Sequence, residues 1–385
     1  MTRSLLVATA FAGLIAAAPA HADKTLFLGG IGDLSGQGAV WGQALQGALR
    51  MVQQEVNDAG GIKIGNETYK ISTTTYDDAY QSQKAVAAAN RLIDQDEAKF
   101  VLGPLAASGA IAAKPIFEQN QVIDLVVGAY SRKVMEGNPK YIFRVSNTPV
   151  EFIKPILTWL KANNGDKIKR VVVMNPNDEA GWDMQELETK SYAEHGFDLV
   201  AKELYERSTK DFQPILTRLI AQNPDMIDMA GSSPASAGLI VRQAREMGYK
   251  GKFIKIGGPG PREILTAAGK EAAEGVMQYI PADPSTEGYK KLSERFAKLY
   301  GHDMDPSALT NYDALKILLA AMQKAGSIET DKVAAAIPQV MPFKSIAGGD
   351  IVLGGKSDYG SDHQFINPIF VGTTTDGGLK IVQMQ

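Results

Sequence analysis

The chain reads as an α/β protein of two similar lobes, each an open parallel sheet flanked by helices. Three observations predict this. Short apolar or β-branched runs end at glycine-rich turns and alternate with stretches of helical period. That alternation begins again after Val145 and repeats unit for unit, without sequence identity between the halves. The length, 385 residues, exceeds what one ordinary core accommodates.

In order along the chain, residues 24–31 (KTLFLGGI) form the first strand candidate and residues 32–38 a loop. Residues 41–59 place Leu45, Ala48, Leu49, Val52 and Val56 at helical spacing, and Gly60-Gly61 stops that helix. Residues 69–76 (YKISTTTY) alternate and are β-branched, so they read as a strand ending at Asp77-Asp78. Residues 83–93 are helical. Residues 100–102 and 122–127 are buried strands joined by a small-residue helix over 106–118. A parallel pair needs such a crossover, which sets both carboxyl ends side by side.

After an extended piece at 142–145, the second half runs helix 151–162, strand 170–174, helix 181–195, strand 197–205 and helix 212–221. Strand 226–230, helix 234–247 and strand 253–256 complete it. The tail carries two consecutive helices, 288–300 and 308–325, then β patterns at 350–353, 366–371 and 379–382. This order predicts crossings between lobes near 145–150, 275–281 and 342–346. Lobe one then holds residues 23–145 and 280–344, and lobe two holds 146–279 and 345–385, with a hinged cleft between them.

Residues 1–22 read as a secretory signal peptide. Arg3 is followed by an apolar run over 5–18, shorter than the roughly 20 residues of a bilayer span, and Ala20-His21-Ala22 is a cleavage site. An exported, periplasmic product is expected. The chain has no cysteine, which rules out disulfides, thiolate metal sites and cysteine nucleophiles. A net charge of −3 argues against nucleic acid or an acidic membrane surface as a partner.

Motifs for chemistry are weak. Gly30-Ile31-Gly32-Asp33-Leu34-Ser35 follows a strand as a dinucleotide fingerprint would. Its third glycine is Ser35, however, and the next strand-end acid, Asp77, lies well beyond the offset of about 20 residues that a ribose contact needs. Gly355-Lys356-Ser357 resembles the end of a phosphate loop, but Asp350 stands where its first glycine belongs. His195, His302 and His363 are scattered, with no metal-ligand spacing. No G-x-S-x-G elbow is present. Asp77-Asp78 reads as a polar strand end more readily than as a paired-carboxylate or cation site. No cofactor is implied.

What remains is a binding pattern. Strand ends carry small and hydroxyl residues: Ser35, then Ala106-Ala107-Ser108-Gly109, Gly128-Ala129-Tyr130-Ser131, Ser232-Ser233 and Gly257-Gly258. Small residues let backbone N–H groups and helix N-termini face a ligand carboxylate. In an open α/β sheet these ends lie where ligands bind. Trp41, Tyr130, Trp182 and Tyr312 are the candidate aromatic walls.

Several stretches, taken together, resemble a known family. They are Leu34-Ser35-Gly36, Asn57-Asp58-Ala59-Gly60-Gly61-Ile62, Tyr76-Asp77-Asp78-Ala79, Gly103-Pro104, Phe143-Arg144, Asp211-Phe212, Arg242-Gln243-Ala244-Arg245, Ala273-Glu274-Gly275 and Tyr312-Asp313-Ala314. Their order and spacing resemble the leucine/isoleucine/valine-binding proteins, the type I periplasmic binding proteins of ABC importers. The resemblance implies two Rossmann-like lobes joined by a three-crossover hinge, a monomer that closes on a small solute, and delivery to an inner-membrane ABC permease.

The resemblance also implies that loops aligned with 106–109 and 128–131 hold the ligand's carboxylate and amine, and that an aromatic aligned with Trp41 covers its side chain. The chain departs from the amino-acid binders at those points. Ala107 stands at the carboxylate-binding serine and Tyr130 at a threonine. Gly257 or Gly258 stands at the acid that pairs with the ligand ammonium. Ala180 stands at a second-lobe aromatic, with Trp182 nearby. Burying an ammonium without an acid is costly, and Asp178 or Glu179 are the candidates to substitute for that acid. The expectation is therefore a small carboxylate-bearing solute: a branched-chain or hydrophobic amino acid, or an aromatic or aliphatic acid. An exported sensor of the same fold and an α/β enzyme are the rival readings.

Overall fold

The computed structural model describes residues 24–36, 38–346 and 348–382. The signal-peptide reading falls on residues 1–22, outside the described residues.

The first half runs β1 (Lys24–Gly32), α1 (Ala39–Asp58), β2 (Ile62–Ile64), β3 (Glu67–Asp77), α2 (Ser82–Asp94), β4 (Phe100–Leu102), α3 (Ala107–Gln119), β5 (Ile123–Val126) and β6 (Ile142–Arg144). The second half runs α4 (Pro149–Asn164), β7 (Arg170–Pro176), α5 (Glu179–Glu194), β8 (Asp198–Tyr205), α6 (Gln213–Ile220), β9 (Met226–Asp228), α7 (Pro234–Glu246), β10 (Lys252–Lys255), α8 (Pro261–Ala268) and β11 (Met277–Ile280). The tail runs α9 (Glu287–Tyr300), α10 (Ser307–Ala325), α11 (Thr330–Ala336), β12 (Phe343–Lys344), β13 (Asp350–Gly354), α12 (Lys356–Tyr359), β14 (Gln364–Ile366), β15 (Phe370–Thr375) and β16 (Gly378–Val382).

Two sheets result. One has the order β12-β13-β14-β6-β5-β4-β1-β3-β2, the other β16-β15-β11-β10-β9-β7-β8. The inner strands are parallel; antiparallel strands finish both edges of the first sheet and one edge of the second, whose other edge, β8, pairs in parallel with β7. Helices cover both faces of each sheet, so the inner strands are apolar on both sides. Leu26 and Leu28 of β1 enter one core with α1, and Val101 of β4 and Val126 of β5 enter the core on the opposite face. The second sheet is likewise flanked by two cores, with Val171 and Val173 on one side and Val172 and Met174 on the other.

The chain passes between sheets after β6, after β11 and after β14. The last of these corrects the expected crossing near 342–346 and the assignment of residues 345–366 to lobe two. β13 and β14 belong to the first sheet, where β14 pairs in parallel with β6 through Gln364 and Arg144. The apolar run 366–371, read as one strand, is two strands in different sheets. The physical reason is Asn367-Pro368. Proline has no N–H to continue a ladder, and Asn367 is bound into the hinge instead. Its backbone N–H donates to Asn147 Oδ1 at 2.7 Å, its side chain donates to Val145 O at 2.9 Å, and Asn147 Nδ2 donates back to Asn367 O at 2.9 Å. The first and third linkers are thus tied to each other.

Candidate functional site

Strand ends of both sheets converge on one cavity, where the first sheet contributes turns. β4 runs into Gly103, which has φ +98° and no room for a side chain, since a Cβ would lie 2.0 Å from Ile31 O. The loop then delivers Leu105 and Ala107, the first residue of α3. Helix α3 begins at Ala106 without a side-chain cap, so its leading N–H groups are left for another acceptor. β5 runs into Gly128 (φ +64°) and Ala129 (φ +46°), and this turn presents Tyr130. β3 ends in a loop whose Tyr80 (φ +61°) also lines the cavity.

The second sheet contributes Ala180 at the start of α5, Arg207 after β8, Ala230-Gly231-Ser232 after β9, and Gly258-Pro259 after β10. The hinge supplies Ser146, Asn147, Tyr279 and Pro281, and α10 supplies Ser307 and Thr310. The cavity is partly open, with a volume of about 70 Å³.

The two sides touch directly. Trp41 Nε1 donates to Pro259 O at 2.7 Å, and Gly258 N–H donates to Tyr130 Oη at 2.9 Å. Arg132 N–H donates to Asp183 Oδ2 at 2.9 Å. The Arg207 guanidinium carbon stands 4.8 Å from the centroid of the Tyr80 ring. Gly258 is required here: at φ +52°, a Cβ would lie 2.7 Å from Trp41 Cζ2.

Among the described residues of the cavity wall, Arg207 is the only formally charged side chain, and no aspartate or glutamate lines it. Its Nε donates to Asp178 Oδ2. Burial opposes the guanidinium charge, but Tyr80 and Asp178 more than offset this and hold its pKa above the ordinary arginine value. Behind the wall, Lys255 is buried, with its Nζ donating to Gly257 O and to Ala230 O at 3.4 Å. Burial pulls its pKa down to about 7, against the pull of Asp228. Asp228 accepts from Tyr192 Oη at 2.8 Å, and Glu188 accepts from Asn175 Nδ2 at 2.6 Å. Burial raises both carboxyls above their usual range. The inner cavity wall therefore carries a guanidinium paired with Asp178; Asp228 and Glu188 lie behind it, and Asp178, Glu179 and Glu206 line the adjoining outer cavity.

Of the residues expected at the site, Trp41, Ala107, Gly128, Ala129, Tyr130, Ala180, Ser232 and Gly258 come together in the cavity wall. Ser108 and Ser233 line two adjoining outer cavities that also reach Tyr80 and Arg207. The others stand elsewhere. Ala106 is the buried N-cap of α3. Ser131 is buried, and its carbonyl accepts from Arg144 Nη1 at 3.0 Å. Gly257 lies under the wall against Phe152, Met184 and Tyr130. Trp182 is 48% exposed and its indole N–H donates to Asn177 Oδ1. Tyr312 faces α1 and donates to Glu55 Oε2 at 2.5 Å, because the apolar stripe of α10 turns it into the helix pair. Ser35 donates to Asp77 Oδ2 at 2.5 Å, so Asp77 ties the first loop rather than offering a ligand contact.

Sequence reasoning missed Arg207, Tyr80, Thr310 and the hinge residues. The signal for the first two was position: each follows a strand end, Tyr205 and Asp77. Among the described residues, no group of histidine and acidic side chains could hold a metal ion.

Two parallel sheets, repeated crossings and a small cavity between strand ends define a two-lobed solute-binding protein. The periplasmic binding protein family model matches residues 25–378, and the chain belongs to that family. A Leu/Ile/Val-binding protein homolog of Brucella abortus is 28% identical over 362 residues, covering 93% of this chain and 94% of the relative. The branched-chain amino acid transporter substrate binding protein of Streptococcus pneumoniae, solved with isoleucine, superposes with TM-score 0.81 at 22% identity, covering 93% of this chain and 99% of its own. A solute binding protein of an ABC transporter from R. palustris, solved with benzoate, superposes with TM-score 0.78 at 19% identity, covering 93% and 95%. The family and these relatives are binding proteins rather than enzymes.

Proposed function

We propose that this protein is the periplasmic receptor of an ABC importer and that its solute is a small monocarboxylate without an ammonium group, an aromatic or branched aliphatic acid. The observation that carries this reading is the charge of the cavity wall. It combines one guanidinium, the uncapped start of α3 and no carboxylate. A helix N-terminus and an arginine fork favour an anion. An α-amino acid would bring an ammonium that finds no acid in this wall, with Arg207 beside it and Lys255 behind.

Trp41, Leu105, Val127, Tyr130 and Tyr279 supply apolar surface for the body of the solute. Bonds that join the lobes, from Trp41 to Pro259 and from Gly258 to Tyr130, form as the cleft closes on the solute. The closed monomer then docks on an inner-membrane permease, a population shift driven by differential affinity for the closed state. The relatives solved with isoleucine and with benzoate place both solute classes within this fold, and the wall charge favours the second.

A thermal-shift screen followed by calorimetry tests this, because a ligand of the folded state alone raises the melting temperature by mass action. Benzoate or 4-methylpentanoate is expected to bind and leucine is not. Tight leucine binding with no response to either acid overturns the proposal.

A further inference from the structure

The apolar lining of the cavity is interrupted at the start of α10. Ser307 and Thr310 are three residues apart on that helix, so they lie on the same face, and both line the cavity. Thr310 is 5% exposed, yet its Oγ1 has no hydrogen-bond partner. A threonine hydroxyl inside a helix ordinarily bonds to the carbonyl four residues back. Thr310 does not, and a buried hydroxyl left unpaired is costly.

Its neighbour is set up differently. Ser307 Oγ donates to Asp305 Oδ1 at 2.5 Å, and the Ser307 N–H donates to the same oxygen at 2.9 Å. The serine proton is therefore committed to Asp305, and its oxygen can only accept from the cavity. Thr310 retains a free proton.

We propose that Ser307 and Thr310 form a subsite for a hydroxyl substituent of the solute, on the lobe opposite Arg207. A hydroxyl is the group that satisfies both: it donates to Ser307 Oγ and accepts from Thr310 Oγ1. A second carboxylate there would face Asp305 and could not donate. A methyl or bare ring edge would leave Thr310 unpaired. This inference rests on the carboxylate reading above and narrows it to a hydroxy acid. A site built to bond a hydroxyl rejects the analogue lacking it far more strongly than an apolar pocket rejects an added one.

The test is calorimetry with matched acids on the purified protein and its Thr310→Val and Thr310→Ser variants. The pairs are benzoate with 3- and 4-hydroxybenzoate, and 4-methylpentanoate with 2-hydroxy-4-methylpentanoate. In at least one pair the hydroxy acid is expected to bind about tenfold tighter or more. Thr310→Val keeps the side chain's shape and removes its hydroxyl, so it is expected to abolish the hydroxy acid's advantage over its parent. Thr310→Ser is expected to keep it. Parent acids that bind as tightly as every hydroxy partner overturn the inference and leave the carboxylate reading standing. Equal weakening of both members by Thr310→Val also overturns it, since the residue then acts by packing. If leucine binds and no acid of any pair does, the carboxylate reading falls, and this inference with it.

Discussion

On the first-sheet side, the cleft wall is made of backbone turns. Gly103, Gly128 and Ala129 adopt left-handed conformations that bring Ala107 and Tyr130 to the cavity. On the second-sheet side, small residues surround a single charge: Arg207 stands within the wall and Lys255 behind it, with Gly258 as the thin layer between Lys255 and Trp41. One side supplies shape, apolar contact and the Ser307 and Thr310 hydroxyls, the other the one charged side chain of the described wall. Two walls built this way can diverge separately, so a family can keep its frame while its solute changes.

The largest test of this division is Arg207→Met. If the second wall supplies the charge, affinity for benzoate or 4-methylpentanoate falls about 100-fold by calorimetry, the cost of losing a paired, partly buried cation. A loss below about threefold places the carboxylate elsewhere. Next is Gly258→Val. Its side chain would meet Trp41 Cζ2 at a distance where no Cβ fits, 2.7 Å, and its φ of +52° disfavours a β-branched residue. Affinity falls about tenfold or more while the chain remains folded, as circular dichroism reports. Tyr130→Phe removes only the acceptor for the Gly258 N–H and costs about fivefold, near 1 kcal/mol.

Lys255 gives a pH signature of the second wall. Its pKa in the folded protein is about 7 against an ordinary 10.5, so the folded state binds fewer protons than the unfolded state between those values. Stability from this group therefore rises with pH from about 7 upward, and it is lowest below 7, where the buried ammonium is charged. Denaturant midpoints measured across that range should show the rise in the wild type, and Lys255→Met should flatten it.

The smallest effect on binding is expected at Tyr312. Tyr312→Phe should leave solute affinity unchanged, because its hydroxyl serves Glu55 on the far side of α1. Burial opposes the Glu55 charge, but Lys316, Tyr312 and Arg295 outweigh it and bring its pKa to about 2. The stability this adds is complete above about pH 4.5 and lost as pH falls toward 2, a window that acid unfolding of Tyr312→Phe reads directly.

The same contrast explains what was legible in the sequence. Strands, helices and the first wall follow from local pattern: apolar runs stopping at glycine mark where β4 and β5 end, and both ends lie at the cavity. Arg207 carries no local pattern. It sits on a polar loop after an edge strand, where a solvated arginine is the ordinary occupant, and only the tertiary approach of Tyr80 makes it part of a site. Trp182 and Tyr312 misled for the converse reason. A large aromatic near a predicted strand end or on a strong helix suggests a pocket, but one helix turns Trp182 outward and the other turns Tyr312 into its neighbour. The last crossing was legible in principle, since Pro368 interrupts the run 366–371; the apolar residues around it masked the break.

The bond from the Trp41 indole to Pro259 has a spectroscopic consequence. It spans the gap between the two sheets, so parting them exchanges a protein carbonyl for water at the indole N–H. The chain has 3 tryptophans. Trp159 packs on the core of the second sheet and Trp182 stands at the surface. With those two changed to phenylalanine, the remaining emission comes from Trp41 alone. On the proposed closure, its wavelength follows the opening of the cleft without any added label, and a stopped-flow trace of it tests whether and how fast the lobes close on a solute.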